Sequence, residues 1–227
     1  MECESGQKFV KDSCAHINEG IRSTSTSFIA GLQSGNEVAW DRLVRLYTPL
    51  VDYWLRKGGL QLADVEDVRQ EVFIAVRRGI EEFEPDGNGG AFRRWLYAIA
   101  RHRLMQSKRT AEGLPLSMPE HELRSLRQMR YDPTVEAVAN APEALAILHQ
   151  QALELLRLDF ENPTWQAFWE VFVQGRTPAD VAAQLGVSPN AVYIAKARVL
   201  SRFREQYGGL IRTEAEDHAP TRNGKVD

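Results

Sequence analysis

Apolar residues recur at helical intervals through most of this chain, while strand signals are nearly absent, and that contrast restricts the fold more than any single motif. Alternating β-branched runs are few, and no Asn-Gly pair joins two apolar runs as a hairpin requires. The pattern predicts an all-α protein. Its interruptions predict the organisation. LRKGGLQLAD and EPDGNGGA break the periodicity between Phe28 and Ser107, where their glycines permit turns. Between Arg109 and Pro142, Pro115, Pro119, Pro133 and Pro142 stand among polar residues. The expected arrangement is therefore a polar leader over 1–26 and a small helical domain over 27–108. A flexible linker over 109–142, with short helical pieces, leads to a second small helical domain over 143–212. A disordered tail follows over 213–227.

Charge is distributed in blocks. The chain carries 28 Lys+Arg against 31 Asp+Glu, a net of −3. Residues 61–90 hold eight acids and three arginines, a net of −5; residues 91–110 hold six basic residues and no acid, a net of +6. Residues 188–212 hold five basic residues and one acid, a net of +4. Blocks of opposite sign predict surfaces for different partners, which the total conceals. No apolar run approaches the roughly 20 residues of a membrane helix, so no membrane insertion is expected. The leader lacks the apolar stretch of a secretion signal. Its two cysteines, Cys3 and Cys14, lie near His16, but the short Cys spacing and fourth ligand of a metal site are missing. Free thiols in a reducing cytoplasm are the expectation, with no metal and no cofactor.

FRRWLYAIARHR, residues 92–103, concentrates four arginines and three aromatics. On a helix, Phe92, Trp95, Leu96 and Ile99 share one side, a core face. Arg94, Tyr97, Arg101 and Lys108 form a stripe opposite, with Arg93 at its flank and Arg103 nearer the buried side. Cations neutralise phosphates, and a surface ring stacks on an unpaired base. This pattern suits nucleic acid better than a solvated helix face, because no acid balances the six cations.

The preceding segment, LADVEDVRQEVFIAVRRGIEEFEP, places Val65, Val68, Val72, Phe73 and Val76 at core spacing and Asp64, Asp67, Gln70 and Glu71 on another face. Carboxylates at this spacing can hold Mg²⁺, as in all-helical nucleotide hydrolases. They can equally form a docking face for a basic partner, or a solvated one. No second acidic helix at matching spacing is present, and no His or Lys is clearly placed for chemistry, so no catalytic residue is assigned.

GRTPADVAAQLGVSPNAVYIAKARVLSRFRE is the most specific stretch. Thr177 is an N-cap, Pro178 takes the first helical position and Asp180 completes the start. Val181, Ala182 and Leu185 face inward, Gly186 supplies a left-handed turn, and Val187 is placed to plug the angle between two helices. Ser188 and Pro189 start the second helix in the same way. There Val192, Ala195, Val199 and Phe203 form a buried stripe, leaving Asn190, Tyr193, Ile194 and Ala197 outward with Arg198 at one edge. This is the sequence form of a DNA-binding helix-turn-helix. Ile194 suits a thymine methyl, Asn190 and Arg198 suit base edges or phosphates, and Arg202 and Arg204 suit the backbone. Upstream, Trp165, Phe168, Trp169 and Phe172 form an apolar stripe.

The order of these parts resembles bacterial RNA polymerase sigma factors of the extracytoplasmic-function (ECF) group, over about residues 27–107 and 143–211. DVEDVRQEVFIAVRR is similar to the family's region 2.2 helix, with its D-x-x-Q-E-x-F pattern at Asp67, Gln70, Glu71 and Phe73. The resemblance implies that these residues, with Asp64, dock on the clamp helices of the polymerase largest subunit. FRRWLYAIARHR is similar to the helix that faces the melted −10 promoter element, which implies Arg93, Arg94, Trp95, Tyr97 and Arg101 there. FEPDGNGGAF matches the position of the specificity loop, implying Asp86 and Asn88 at the captured base. VSPNAVYIAKARVL corresponds to the −35 recognition helix, implying Thr177, Ser188, Asn190, Tyr193, Ile194, Ala197, Arg198 and Arg202. Family members often carry a basic residue where Tyr193 stands and an arginine where Ala195 stands, which implies less electrostatic −35 contacts here.

The implied function is a non-enzymatic, cytoplasmic ECF-type sigma factor, whose partners are core RNA polymerase, double-stranded and melted promoter DNA, and an anti-sigma factor. An autonomous helix-turn-helix regulator is the second reading. A metal-dependent helical hydrolase using Asp64, Asp67 and Glu71 is the third.

Overall fold

A computed structural model describes residues 24–84, 90–113 and 132–211. The leader's Cys3, Cys14 and His16, the loop's Asp86 and Asn88, and the tail from 212 lie outside the described residues. The helices are α1 (Thr24–Gln33), α2 (Glu37–Lys57), α3 (Leu62–Gly79), α4 (Ala91–Ala111), α5 (Pro133–Ala139), α6 (Pro142–Arg157), α7 (Asn162–Phe172), α8 (Pro178–Leu185) and α9 (Pro189–Ile211), with a 3₁₀ turn at Ile80–Glu82. Among the described residues every regular element is helical, so the fold is all-α as expected.

α2 is the central element, packed against α1, α3, α4 and α6. Asn36 starts it, its Oδ1 accepting from the amides of Val38 and Ala39 at 2.9 and 3.1 Å. Pro49 lies inside this helix, where a proline removes one backbone bond at a cost of about 3 kcal/mol. Leu46, Tyr47, Leu50 and Val51 are all fully buried around it, and burying such side chains returns about 1.5–3 kcal/mol each, so packing outweighs the broken bond. Gln33, at the end of α1, donates from Nε2 to the carbonyls of Ile80 and Phe83 at 3.1 and 3.0 Å. It thereby anchors the turn that leads toward α4.

The apolar core is continuous across the segment between 109 and 142. One cluster joins Ile29 and Leu32 of α1, the buried faces of α2 to α4, Leu148 and Leu156 of α6, and Val199, Phe203 and Tyr207 of α9. A second, smaller cluster of Ala167, Val181, Ala182, Val192 and Ala195 holds the helix-turn-helix. α9 therefore belongs to both: its first turns pack on α7 and α8, its later turns on α1 and α6. The stretch read as a linker is partly ordered helix. α4 runs on to Ala111, and α5 begins at Pro133, capped by Asp132, whose Oδ1 accepts from the Thr134 amide at 2.8 Å.

Candidate nucleic-acid and partner interface

The acidic face of α3 stands as expected. Val65, Val68, Val72 and Val76 are buried, Phe73 is half-buried against the core, and Asp64, Asp67, Gln70 and Glu71 are exposed. Arg69 would interrupt this face, but it turns toward α2, donating from Nη1 to both carboxylate oxygens of Asp52 at 3.0 and 2.8 Å. The outward side of α3 thus keeps its negative character, and Ile74 adds an exposed apolar side chain beside it. Among the described residues no three His, Cys, Asp or Glu side chains group to hold a metal.

On α4 the helical projection is right about one side and wrong about the other. Phe92, Leu96 and Ile99 are buried as expected. Trp95 is buried too, its ring against Phe83 and Phe92 at centroid distances of 4.9 and 5.7 Å and its edge 3.1 Å from where a side chain on Gly79 would begin. The expected exposed stripe is only partly exposed: Arg94 is 4 % and the flanking Arg93 0 % exposed, Tyr97 and Arg101 are half-buried, and Lys108 is exposed. Arg93 reaches Asn140, beyond the end of α5, donating from Nη2 to Oδ1 at 2.8 Å. Arg101 is half-buried and pairs with Asp132 at 3.5 Å. Thr134 holds the Asp132 carboxyl below the usual carboxylate range, first through its hydroxyl and then its amide, with Arg101 adding to the effect. Tyr97 packs edge-on to Trp54 at 5.0 Å, and burial raises its phenol pKa against the opposing pull of Arg101 and Lys57. The helical period identified a common face, but α5 and its flanking residues engage part of it, at Arg93 and Arg101, and α5 lies within the stretch read as linker. Asp132-Pro133 is itself a helix-start signal, a capping side chain followed by proline at the first position; that was the legible clue.

The helix-turn-helix follows the sequence closely. Thr177 Oγ1 accepts from the Asp180 amide at 3.2 Å and donates to the Asp180 carboxylate at 2.7 Å. Gly186 has φ +67°, the left-handed turn, and Ser188 Oγ accepts from the Ala191 amide at 3.2 Å. Val192, Ala195, Val199 and Phe203 are buried. Asn190, Tyr193, Ile194, Ala197 and Arg198 are exposed together on the outer face of α9, with Thr177 and Ser188 also exposed. Two expectations change. Val187 does not plug the helix angle but is 42 % exposed, since small Ala182 and Ala195 already let the helices close. Arg202 is engaged within the protein, pairing at 3.2 Å with Asp159 and with Glu205.

The family model described as Sigma-70 region 2 matches residues 43–113, which is α2 from Leu43 through α4. ECF RNA polymerase sigma factor ShbA of Streptomyces griseus is 33% identical over 147 residues, covering 62% of this chain and 70% of that protein. The chain belongs to the ECF RNA polymerase sigma factors. ECF RNA polymerase sigma factor SigM of Mycobacterium tuberculosis is 26% identical over 199 residues, 87% of this chain and 92% of that protein. A solved structure, that of CnrH in complex with the cytosolic domain of CnrY, is similar over 80% of this chain and 95% of that one, at 21% identity and a TM-score of 0.31. As a sigma factor the protein binds core RNA polymerase and promoter DNA and acts in transcription initiation. Among the described residues no helix is long and apolar enough to cross a membrane.

Proposed function

We propose a division of labour among three surfaces of this sigma factor. The outer face of α3, with Asp64, Asp67, Gln70 and Glu71 and the half-buried Phe73 behind them, docks on core polymerase. α4, through Arg93, Arg94, Tyr97 and Arg101, meets the −10 element as it melts, with Trp95 supporting the helix from inside. The loop bearing Asp86 and Asn88 captures a −10 base. The outer face of α9, with Asn190, Tyr193, Ile194, Ala197 and Arg198 and flanked by Thr177 and Ser188, reads the −35 element. Arg202 contacts the phosphate backbone there after exchanging its carboxylate partners. Residues 27–108 and 143–212 act as the two promoter modules. The protein itself supplies no catalytic group, the polymerase performs the chemistry, and the site of action is the cytoplasm. An anti-sigma factor that occludes these surfaces in trans completes the scheme.

The observation that carries this reading is the direct packing of α3 on α4. It sets an acidic outer face and a cationic helix side by side, so a polymerase held by the first lies next to DNA facing the second. The net charge of −3 fits a protein that binds free DNA weakly. Tethering to polymerase raises the effective concentration of two modest DNA-binding modules. Anisotropy of the labelled protein with purified core polymerase tests the scheme. Binding that Asp67→Arg abolishes is the expected result; binding untouched by the substitution would move the interface off α3.

A further inference from the structure

We propose that α5 and its two flanking residues form an intramolecular latch that closes the promoter face of α4 in the free chain. The inference rests on the reading of α4 as the −10 surface and adds a mechanism by which that surface is withheld. Three observations converge. Arg93 and Arg94 carry full charges yet are almost without exposure, although burying a cation is costly unless polar groups compensate it. Polar groups from the two ends of one short helix meet this face: the amide oxygen of Asn140 at the buried Arg93 (2.8 Å) and the carboxylate of Asp132 at the half-buried Arg101 (3.5 Å). Between them Val135, a member of the main core cluster, and Ala139 are fully buried. Val138 closes one wall of a cavity of about 140 Å³ that Trp54, Tyr97, Arg101 and Leu104 also line.

The chemistry of the latch copies that of the ligand it excludes. A carboxylate stands where a phosphate would neutralise Arg101, and an amide acceptor stands where a phosphate or base edge would satisfy Arg93. Asp132 also caps α5 through Thr134, so forming the helix and closing the latch depend on one carboxylate. The ion pair that closes the Asp132 end is partly solvated. Exposed ion pairs contribute little, which makes this a closure that polymerase or DNA can displace. On the other DNA surface the side chains stay open among the described residues: Tyr193 and Ile194 on α9 are 58 and 51 % exposed. The free chain therefore presents its −35 surface and withholds its −10 surface.

The test uses the full-length protein with Asp132→Asn and Asn140→Ala combined. Asparagine keeps an N-cap for α5 but removes the charge at Arg101, while alanine removes the acceptor at Arg93. Phenylglyoxal footprinting with mass spectrometry reads the latch without DNA. Arg93 should be protected in the wild type and labelled several-fold faster in the double variant. Binding of the free protein to a fluorescent 15-nucleotide single-stranded DNA of randomised sequence reads the consequence. If about 80–90 % of the wild-type chain is closed, the double variant should bind about five- to tenfold more tightly. Adding Arg101→Ala should remove that gain. Should the double variant be too unstable, Asp132→Asn alone gives the same readouts at smaller amplitude. Equal arginine labelling in folded wild type and variant overturns the latch. So does labelling that rises without any gain in DNA binding. The −10 reading is checked separately: Tyr97→Ala and Arg101→Ala in the polymerase complex should impair promoter opening. Its failure there, with labelling still enhanced, would show that α5 covers a surface other than the promoter face.

Discussion

Arg93 Nη2 on α4 lies 2.8 Å from Asn140 Oδ1, and the backbone of Gly90 passes close beneath both. A methyl group at position 90 would sit 2.7 Å from each of these two atoms, and the residue's φ of +85° disfavours any side chain. Gly90 is therefore a condition of the contact as well as of the turn into α4. Gly90→Ala should destabilise the protein by about 1–3 kcal/mol, lowering Tm by several degrees. Calorimetry checks this. An unchanged Tm would mean that the turn relaxes and the contact is not held as described.

His149, on α6, is buried, and its Nε2 has no hydrogen-bond partner among the described residues. Burial, reinforced by the Arg93 charge, depresses its pKa from 6.5 to about 4. Between those values the unfolded chain binds a proton that the folded chain refuses, so stability falls as pH drops from about 6.5 and levels off near 4. The loss amounts to about 3 kcal/mol at most. Urea unfolding across that range should show this slope, and His149→Leu should flatten it. A wild-type profile no steeper than that of the variant would rule out a buried neutral imidazole.

Arg69 and Asp52 give a way to alter the proposed docking face without touching an acid on it. Asp52→Ala frees the Arg69 guanidinium, now held at 2.8 and 3.0 Å, to turn toward Glu66 and the neighbouring acids of α3. Polymerase affinity should drop by about three- to tenfold, while Asp67→Arg should cost more than tenfold, as like-charge contacts at an interface do. Arg69→Ala combined with Asp52→Ala should restore most of the affinity. Anisotropy titrations with core polymerase distinguish the three variants.

Tyr193 and Phe203 lie on the same helix with opposite consequences. Tyr193 is 58 % exposed and Phe203 2 %. Tyr193→Ala and Ile194→Ala should change stability by no more than about 0.5 kcal/mol while reducing polymerase-dependent transcription that needs the −35 element. Phe203→Ala should cost about 3–5 kcal/mol, because Phe203 joins α9 to the main core. Thermal melts paired with in vitro transcription separate the two classes. Loss of stability in both would mean that the outer face of α9 is itself packed.

The sequence by itself determined what is local. Apolar spacing determined the all-α class and the buried stripes of α3 and α9. Capping chemistry determined the helix-turn-helix, because Thr177, Gly186 and Ser188 act on amides and carbonyls within three or four positions of themselves. Charge spacing determined that α3 turns an acidic face outward. Tertiary structure alone decided what lies over a face. Helical period places Arg93, Arg94 and Arg101 near one another, but it carries no information about α5, whose flanking residues arrive 31 to 47 positions later to engage Arg101 and Arg93. For the same reason Trp95 could be read from the sequence either as core or as contact, until Gly79 and Phe83 were seen to enclose it. Arg202 reads from the sequence as a free cation, but Asp159, 43 positions earlier in the chain, stands beside it. Side chains that share a helix are ordered by its geometry. Contacts between distant segments depend on how the whole chain packs, and in this protein those contacts decide which of its cations face outward.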